Sequence, residues 1–129
     1  MAGLQVLEEQ YEDQGLHVLG FYSNDFGSQG GTDEQIDACT EAHAVSFPQF
    51  EIQPVTLPNA RPVFAWLLGQ DEPGPAPLTP SWNFHKYLVG RDGTLVATFS
   101  EPSYMGSDPT SPTWQNHEIV LAIEAELAK

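Results

Sequence analysis

The first quarter of the chain has a pattern of apolar and acidic residues that predicts a helix followed by a strand. Within residues 2–14, apolar side chains recur at helical spacing, and glutamate and aspartate occupy positions between them. Gly15 is suited to end this helix, because glycine readily adopts the left-handed conformation found at helix C-termini. The apolar run over residues 16–22 is typical of a buried strand. Three glycines within residues 23–31 then predict a loop.

Three more helices and a hairpin are predicted in the remainder of the chain. Thr32 and Gln35 have the spacing of a capping box, which predicts a helix that extends to about Ala44. The Asp-Gly pair at residues 92–93 predicts the tight turn of a hairpin. The other predicted elements are, in chain order, an extended segment over 45–53, a helix over 61–68, hairpin strands over 82–89 and 94–99, a loop over 100–112 and a helix over 119–127. The helix over 61–68 is predicted to have Val63, Trp66 and Leu67 on its apolar face. Helices interspersed with strands in a chain of 129 residues indicate a single α/β domain in which helices cover a sheet.

The chain is strongly acidic, with 18 Asp and Glu against 4 Lys and Arg and a formal net charge of −14. The few basic residues cannot form the positive surface that nucleic acid requires, and the charge also disfavours an anionic membrane surface. No apolar run is long enough to span a membrane. The first residues lack the basic and apolar segments of a secretory signal, so we expect a cytoplasmic location, with the periplasm as the alternative.

The cysteine and histidine content limits the redox and metal chemistry that the chain can support. Cys39 is the single cysteine, which excludes an internal disulfide. The four histidines lack the spacing of metal-binding motifs, so neither a metal nor a cofactor is expected.

Two sequence strings carry candidate chemistry. The string G-F-Y-S-N-D-F-G-S-Q over residues 20–29 follows the first predicted strand, and W-N-F-H-K-Y-L-V over residues 82–89 forms the first strand of the hairpin. Gln29, Trp82 and Asn83 offer neutral amide and indole N–H donors, which could stabilise a thiolate or polarise a peroxide if they converged on one point. The alternative is a core tryptophan, a turn asparagine and a solvated glutamine. The residue types alone leave both interpretations open.

Both strings resemble the signature segments of the glutathione peroxidase family, G-F-P-C-N-Q-F-G-x-Q-E and W-N-F-x-K-F-L-V. The segments V-S-F-P-Q-F at residues 45–50 and N-A-R-P-V-F at residues 59–64 resemble further family segments in the same order. The resemblance implies a thioredoxin-like fold of the glutathione peroxidase type, an α/β three-layer sandwich. It also implies thiol-dependent reduction of hydrogen peroxide and organic hydroperoxides in the oxidative-stress response. Carried over by motif, Gln29, Trp82 and Asn83 occupy three of the family's catalytic positions.

The chain departs from the family pattern at its N-terminus, where it is expected to be truncated. The family's N-terminal hairpin, central strand and nucleophile turn would lie before Met1, so the peroxidatic Cys or Sec is not among residues 1–129. We therefore expect one glutathione-peroxidase-like domain over residues 1–129 that lacks peroxidase activity by itself, which leaves its status as an enzyme undecided. Without the central strand, the strand at 16–22 and the hairpin at 82–99 would each have an open edge. Three outcomes are then open: a fragment of a longer protein, a truncation that repacks or dimerises, or docking of a foreign strand.

The role of Cys39 and the choice of reductant have two interpretations each. The resemblance places Cys39 in the helix that carries the resolving cysteine of thioredoxin-dependent members, whereas a lone helical cysteine is commonly a small buried residue. The expected partners are a hydroperoxide and either thioredoxin or glutathione. The net charge disfavours anionic glutathione, and the short loop over residues 70–81 resembles the monomeric, often thioredoxin-dependent branch. The alternative function is a non-catalytic thioredoxin-fold module for binding or dimerisation, in which a homodimer fills the missing strand.

Overall fold

A computed structural model shows five helices and four strands in the part of the chain that it describes. The described residues are 2–26, 32–42, 44–73, 77–80, 84–100 and 106–129. The helices are α1 Ala2–Tyr11, α2 Asp33–Ala42, α3 Pro62–Leu68, α4 Pro112–Gln115 and α5 Glu118–Leu127, and the strands are β1 Gly20–Phe21, β2 Gln49–Phe50, β3 Lys86–Val89 and β4 Leu95–Phe99. Within these ranges, no helix combines the length and the apolar character that crossing a membrane requires.

The strands form two separate pairs within the described ranges. β1 and β2 are parallel, with Gly20 opposite Gln49. β3 and β4 are antiparallel, with Leu88 opposite Ala97, and the predicted Asp-Gly turn joins them. No hydrogen-bonded ladder between described strands connects the two pairs.

The β3–β4 hairpin separates two hydrophobic cores, one on each face. Leu88, Ala97 and Phe99 pack towards α1, α4 and α5, whereas Tyr87 and Leu95 pack towards α3. Alternation of successive side chains along a strand separates Tyr87 from Leu88. Leu95 leaves the face of Ala97 and Phe99 because the ladder has a register shift between Leu88 and Val89, where Val89 pairs with Leu95. The molecule therefore has helices on both sides of the hairpin, which agrees with the predicted three-layer α/β architecture.

The core on the α1, α4 and α5 side, called the distal core, is the larger of the two. Its buried members are Leu7, Phe99, Trp114, Ile119, Val120 and Ile123. The core beside α3, called the site-side core, consists of Val55, Phe64 and Leu67, with Phe21, Phe26, Ala60, Tyr87 and Leu95 packed against it. The site-side core thus receives side chains from both candidate strings, Phe21 and Phe26 from the first and Tyr87 from the second.

Two sequence-predicted boundaries are confirmed by hydrogen bonds and backbone geometry. Gly15 has φ 103° and ends the helical segment that continues from α1 through the 3₁₀ turn Glu12–Gln14. At the start of α2, the backbone N–H of Thr32 donates to Gln35 Oε1 at 2.9 Å, and the N–H of Gln35 donates to Thr32 Oγ1 at 3.3 Å. These reciprocal bonds form the capping box that the spacing predicts.

The prediction of a buried strand over residues 16–22 is wrong in its extent and burial. Only Gly20 and Phe21 pair with a neighbouring strand, and Leu19 is 50% exposed. Part of the reason is that α1 takes a backbone donor of this segment, since the N–H of Val18 donates to Glu8 Oε2 at 2.7 Å. Leu16 and Val18 of this run pack on the distal core without forming a longer ladder.

The predicted apolar face of α3 is also partly wrong. Val63 and Trp66 are 38% and 41% exposed, whereas Phe64 and Leu67 are buried. Because a helix turns about 100° per residue, the face that carries residues 64 and 67 differs from the face that carries residues 63 and 66. A further helix, α4, begins at the end of the predicted 100–112 loop, where Ser111 Oγ accepts a hydrogen bond from the Trp114 N–H.

Candidate functional site

The residues that sequence motifs assign to catalysis lie outside the described part of the chain, but the segments beside them are described. Gln29, Trp82 and Asn83 fall in the gaps between the described ranges. The backbone of Cys39 lies in α2. Residues 20–26 of the first string lead towards Gln29, and residues 84–89 of the second follow Asn83.

The two strings border one hollow. It is lined by rings of Phe21, Phe26, Phe64 and Phe84, together with Ser23 and His85. The contributing segments are far apart in sequence, one after β1 and the other before β3. Val55 and Pro80 complete the lining, so the surface is a shallow depression with both aromatic and polar groups. The flanks of the two strings therefore meet, although the candidate donors themselves are not described.

Phe84, directly after Asn83, has an unusual backbone conformation. Its φ is 60°, in the left-handed region that non-glycine residues rarely adopt, and its side chain is 57% exposed at the hollow. Its carbonyl accepts a hydrogen bond from Lys86 Nζ at 2.6 Å. Such conformations cost free energy and cluster at functional sites. The chain thus turns sharply between Asn83 and β3, and a large apolar ring lies at the edge of the hollow.

His85 contributes a neutral imidazole to the wall of the hollow. Neither of its buried ring nitrogens has a hydrogen-bond partner among the described residues, and its ring lies 5.1 Å from that of Tyr87. Burial lowers the pKa of His85; the Pro77 carbonyl opposes this shift without forming a well-aligned hydrogen bond, and the charge of Lys86 adds to the lowering. Sequence reasoning assigned His85 no role, although a histidine in an otherwise apolar and aromatic strand is a signal for buried polarity.

Arg61 is a buried cation that holds the chain together beside the hollow. Its side chain is almost fully buried, and its Nη2 donates to the carbonyl oxygens of Tyr22 at 3.0 Å, Gln53 at 3.4 Å and Glu51. Its guanidinium carbon also lies 5.2 Å from the ring centroid of Phe21. Burial lowers the pKa of Arg61, and the charge of Glu51 opposes this effect. One side chain therefore connects the segments that follow β1 and β2.

Asp25 forms a second connection between the same two regions. Its Oδ2 accepts hydrogen bonds from the N–H of Val55 at 2.8 Å, the N–H of Thr56 at 3.1 Å and the hydroxyl of Thr56 at 3.0 Å. Desolvation alone would raise the pKa of Asp25, but hydrogen bonds from Val55, Thr56 and Ser23 outweigh it and lower the pKa below its ordinary value. The ionised carboxylate thus fixes the loop that leads towards Gln29.

Replacing Asp25 with asparagine is expected to lower the free energy of unfolding at neutral pH by about 1 kcal/mol, a modest value because the group is largely exposed to solvent. The pKa of Asp25 is lower in the folded state than in the unfolded state, where it is about 4. The ionised carboxylate therefore contributes its full stabilisation above about pH 4, and this stabilisation is lost as the pH falls through the pKa of the folded state. Urea unfolding of both proteins from pH 7 down to pH 3 measures the difference. Asp71→Asn, at an exposed position, is the control. A difference that stays constant over this range contradicts the assignment.

Tyr87 anchors the loop that leads to the second string. Its hydroxyl donates a hydrogen bond to the Leu78 carbonyl, and burial raises the pKa of Tyr87 above its ordinary value. The phenol is therefore neutral and remains a donor. Tyr87 thus ties residues 77–80 to β3 on the other side of Trp82 and Asn83.

The described residues offer no group of three or more His, Cys, Asp and Glu side chains arranged to hold a metal ion. The polar groups beside the hollow are instead a neutral imidazole, a hydroxyl and backbone groups held by Arg61 and Asp25. Their chemistry suits binding and orientation of a neutral or weakly polar ligand.

Comparison with known proteins identifies the class of protein to which this fold and site belong. The chain is similar to a solved structure described as "Crystal structure of Trgpx in apo form", with a TM-score of 0.59 and 28% identity over 95% of this chain and 69% of that one. The fold is of the thioredoxin-like, mixed α/β type. Residues 1–68 match the family model for glutathione peroxidase.

Sequence relatives agree with this assignment. The chain is 38% identical over 100 residues to hydroperoxy fatty acid reductase Gpx2 of Synechocystis sp. (strain ATCC 27184 / PCC 6803 / Kazusa), covering 76% of this chain and 61% of that protein. It is 40% identical over 99 residues to the glutathione peroxidase homolog BsaA of Halalkalibacterium halodurans, covering 75% and 62%. The chain belongs to the glutathione peroxidase family, whose members reduce peroxides. It spans about three fifths of the length of these two relatives.

Proposed function

We propose that this chain contributes the neutral donor groups of a thiol-dependent hydroperoxide reductase that acts in the cytoplasm in the response to oxidative stress. In this proposal Gln29, Trp82 and Asn83 are the catalytic donors that stabilise the reacting thiolate or selenolate and polarise the peroxide. The observation that carries the proposal is the hollow at which the flanks of both family strings meet. Family membership supplies the chemistry.

The proposal includes a step that these donors cannot perform alone. A thiolate or selenolate attacks the O–O bond of the hydroperoxide; one oxygen is transferred to sulfur or selenium, and the other leaves as water or an alcohol after protonation. Amide and indole groups can stabilise the charges in this step, but they cannot accept the oxygen atom. We therefore propose that residues 1–129 have no peroxidase turnover unless a peroxidatic Cys or Sec is supplied.

The aromatic lining supports a hydroperoxide with an apolar substituent as substrate. The rings of Phe21, Phe26, Phe64 and Phe84 offer a surface that favours an alkyl or aryl group over water. One relative is named a hydroperoxy fatty acid reductase, which agrees with this substrate class. The protein should then reduce an organic hydroperoxide with a lower KM than hydrogen peroxide.

Cys39 is proposed as the resolving thiol that regenerates the peroxidatic residue through a disulfide, with thioredoxin as the reductant. The support is its position on α2, the first helix after the loop of Gln29. The net charge of −14 also disfavours steering of anionic glutathione. If Cys39 has this role, Cys39→Ser in the extended protein described below abolishes turnover with thioredoxin and leaves the first oxidation step intact.

The proposed function is tested with two proteins, the 129-residue chain and the same chain preceded by the upstream part of its reading frame. NADPH consumption is followed with cumene hydroperoxide or hydrogen peroxide, using thioredoxin and its reductase or glutathione and its reductase. We expect the 129-residue chain to show no turnover above the blank. The extended protein should turn over, and Asn83→Ala in it should lower kcat/KM about 10²–10³-fold, as does the loss of a donor to a developing charge.

Asn59→Ala, which changes an exposed amide between β2 and α3, is the matched control and should leave kcat/KM unchanged. Robust turnover by the 129-residue chain that Cys39→Ser abolishes would overturn the proposed inactivity. An extended protein that carries an in-frame Cys or Sec and reduces none of the hydroperoxides would overturn the proposed activity.

A non-catalytic module for binding or dimerisation is the second candidate function. It is favoured by the two separate strand pairs and by the exposed apolar side chains Leu19 and Phe50, which are 50% and 43% accessible. Multi-angle light scattering of the 129-residue chain distinguishes the candidates. A stable dimer at micromolar concentration supports the module, and a monomer at all concentrations opposes it.

A further inference from the structure

A series of aromatic contacts connects the two strand pairs across α3. The rings of Phe64 and Phe21 meet edge to face, with centroids 5.4 Å apart and planes at 79°. On its other side, Phe64 meets Tyr87 in the same manner, at 5.6 Å and 88°. Phe21 in turn stacks on Phe50 at 4.6 Å. Rings from β1, β2, α3 and β3 are therefore in continuous contact.

Phe64 is the member of this series that links the two halves of the candidate site. Phe21 belongs to β1, which precedes residues 22–26 of the first string, and Tyr87 belongs to β3, which follows Phe84 and His85 of the second. Because the described strands of the two pairs share no hydrogen-bonded ladder, their relative position depends on side-chain packing. Phe64 is 8% exposed and also forms part of the wall of the hollow.

We propose that Phe64 is a positioning residue that sets the separation of residues 21–26 and residues 84–87 through its edge-to-face contacts with Phe21 and Tyr87. The inference deepens the proposed function, because these two segments adjoin, in sequence, the residues proposed as its catalytic donors. An edge-to-face pair has a preferred orientation, since the positive edge of one ring faces the negative face of the other. A leucine at this position retains much of the apolar volume but loses that orientation.

The matched control is Leu67, which lies on the same helix and in the same site-side core. Leu67 is 5% exposed, so Leu67→Ala disturbs a buried position of α3 without removing an aromatic contact. Phe64→Tyr retains the ring and serves as the conservative variant. Phe64→Leu is the test variant, and Phe21→Leu and Tyr87→Leu each remove one of the two contacted rings.

Paramagnetic relaxation in NMR spectra measures the separation directly. A nitroxide spin label is attached at the exposed position 24 through Asn24→Cys in a Cys39→Ser background, and the broadening of the amide signals of β3 is recorded. We expect a defined broadening pattern in this parent protein, the same pattern in Leu67→Ala and Phe64→Tyr, and loss of that pattern in Phe64→Leu. Phe21→Leu and Tyr87→Leu should also lose it, which keeps the test decisive if Phe64→Leu does not fold.

Three results would overturn the inference: an unchanged pattern in folded Phe64→Leu, an equal change in Leu67→Ala, or no broadening of β3 in the parent protein. If Phe64→Leu is unfolded, unchanged patterns in both Phe21→Leu and Tyr87→Leu overturn it as well.

The peroxidase assay reports on the proposed function independently. A confirmed relaxation pattern together with an inactive extended protein would retain the positioning role of Phe64 and remove the enzymatic one.

Discussion

Replacing Trp114 with alanine is expected to lower the free energy of unfolding by about 3–5 kcal/mol, the range observed when a buried Trp or Phe is truncated to alanine. Trp114 is 2% exposed and lies in the distal core with Leu7, Phe99 and Val120. The loss combines the transfer free energy of the indole with the cost of the cavity that remains. Because small domains have a total stability of about 5–15 kcal/mol, the variant should be close to unfolding.

Trp66→Ala is the matched control for this prediction, since it removes the same side chain from a position that is 41% exposed. Its effect should be about 0.5 kcal/mol or less. Urea denaturation followed by far-UV circular dichroism measures both variants. Similar losses in the two variants would show that the distal core does not depend on Trp114.

Arg61→Leu is expected to destabilise the protein by about 3 kcal/mol, since a buried acceptor that loses its partner costs about 1–3 kcal/mol. The carbonyl oxygens of Glu51 and Gln53 would lose the donor that Nη2 supplies, whereas that of Tyr22 would retain its hydrogen bond from the Gln53 N–H at 3.1 Å. The removal of a desolvated charge offsets part of this cost. Leucine cannot provide any replacement donor.

Two further arginine variants make the Arg61 prediction specific. Arg91 also donates to a backbone carbonyl, that of Gln14 at 2.8 Å, but at an exposed position, so Arg91→Leu should change the stability by no more than about 0.5 kcal/mol. The stability of Arg61→Lys should lie between those of Arg61→Leu and the parent protein. The single nitrogen Nη2 of Arg61 donates all three hydrogen bonds to the carbonyl oxygens, and the ammonium group of lysine can replace some of them. Equal stability of Arg61→Leu and the parent protein would contradict the role of Arg61.

The secondary structure was predictable wherever local chemistry decides it. The capping box of Thr32 and Gln35, the left-handed Gly15 and the Asp-Gly turn of the hairpin all depend on a few neighbouring residues. The prediction of a strand over residues 16–22 was too long, since strand length depends on a partner that is remote in sequence and only Gly20 and Phe21 have one. For α3, periodicity indicated a helix but placed Trp66 on the buried face, which is wrong.

The candidate site was predictable in part. The two family strings indicated which segments form it, and the structure brings their described flanks to one hollow, while the roles of Gln29, Trp82 and Asn83 stay predictions. The sequence assigned no role to Arg61 or Asp25. Most of their partners are backbone groups eight or more residues away, on segments whose proximity no local pattern reveals.

The sequence by itself determined the family, the mixed α/β class, the helix boundaries that depend on caps and glycine, and the absence of any thiol other than Cys39 among its 129 residues. Only the tertiary structure decided which side of α3 is buried, that Arg61 is a buried cation bound to three carbonyl oxygens, and that Phe64 lies between Phe21 and Tyr87. The physical reason is that caps and turns involve residues within one or two turns of chain. Burial and ring contacts depend instead on which distant surfaces meet when the layers pack.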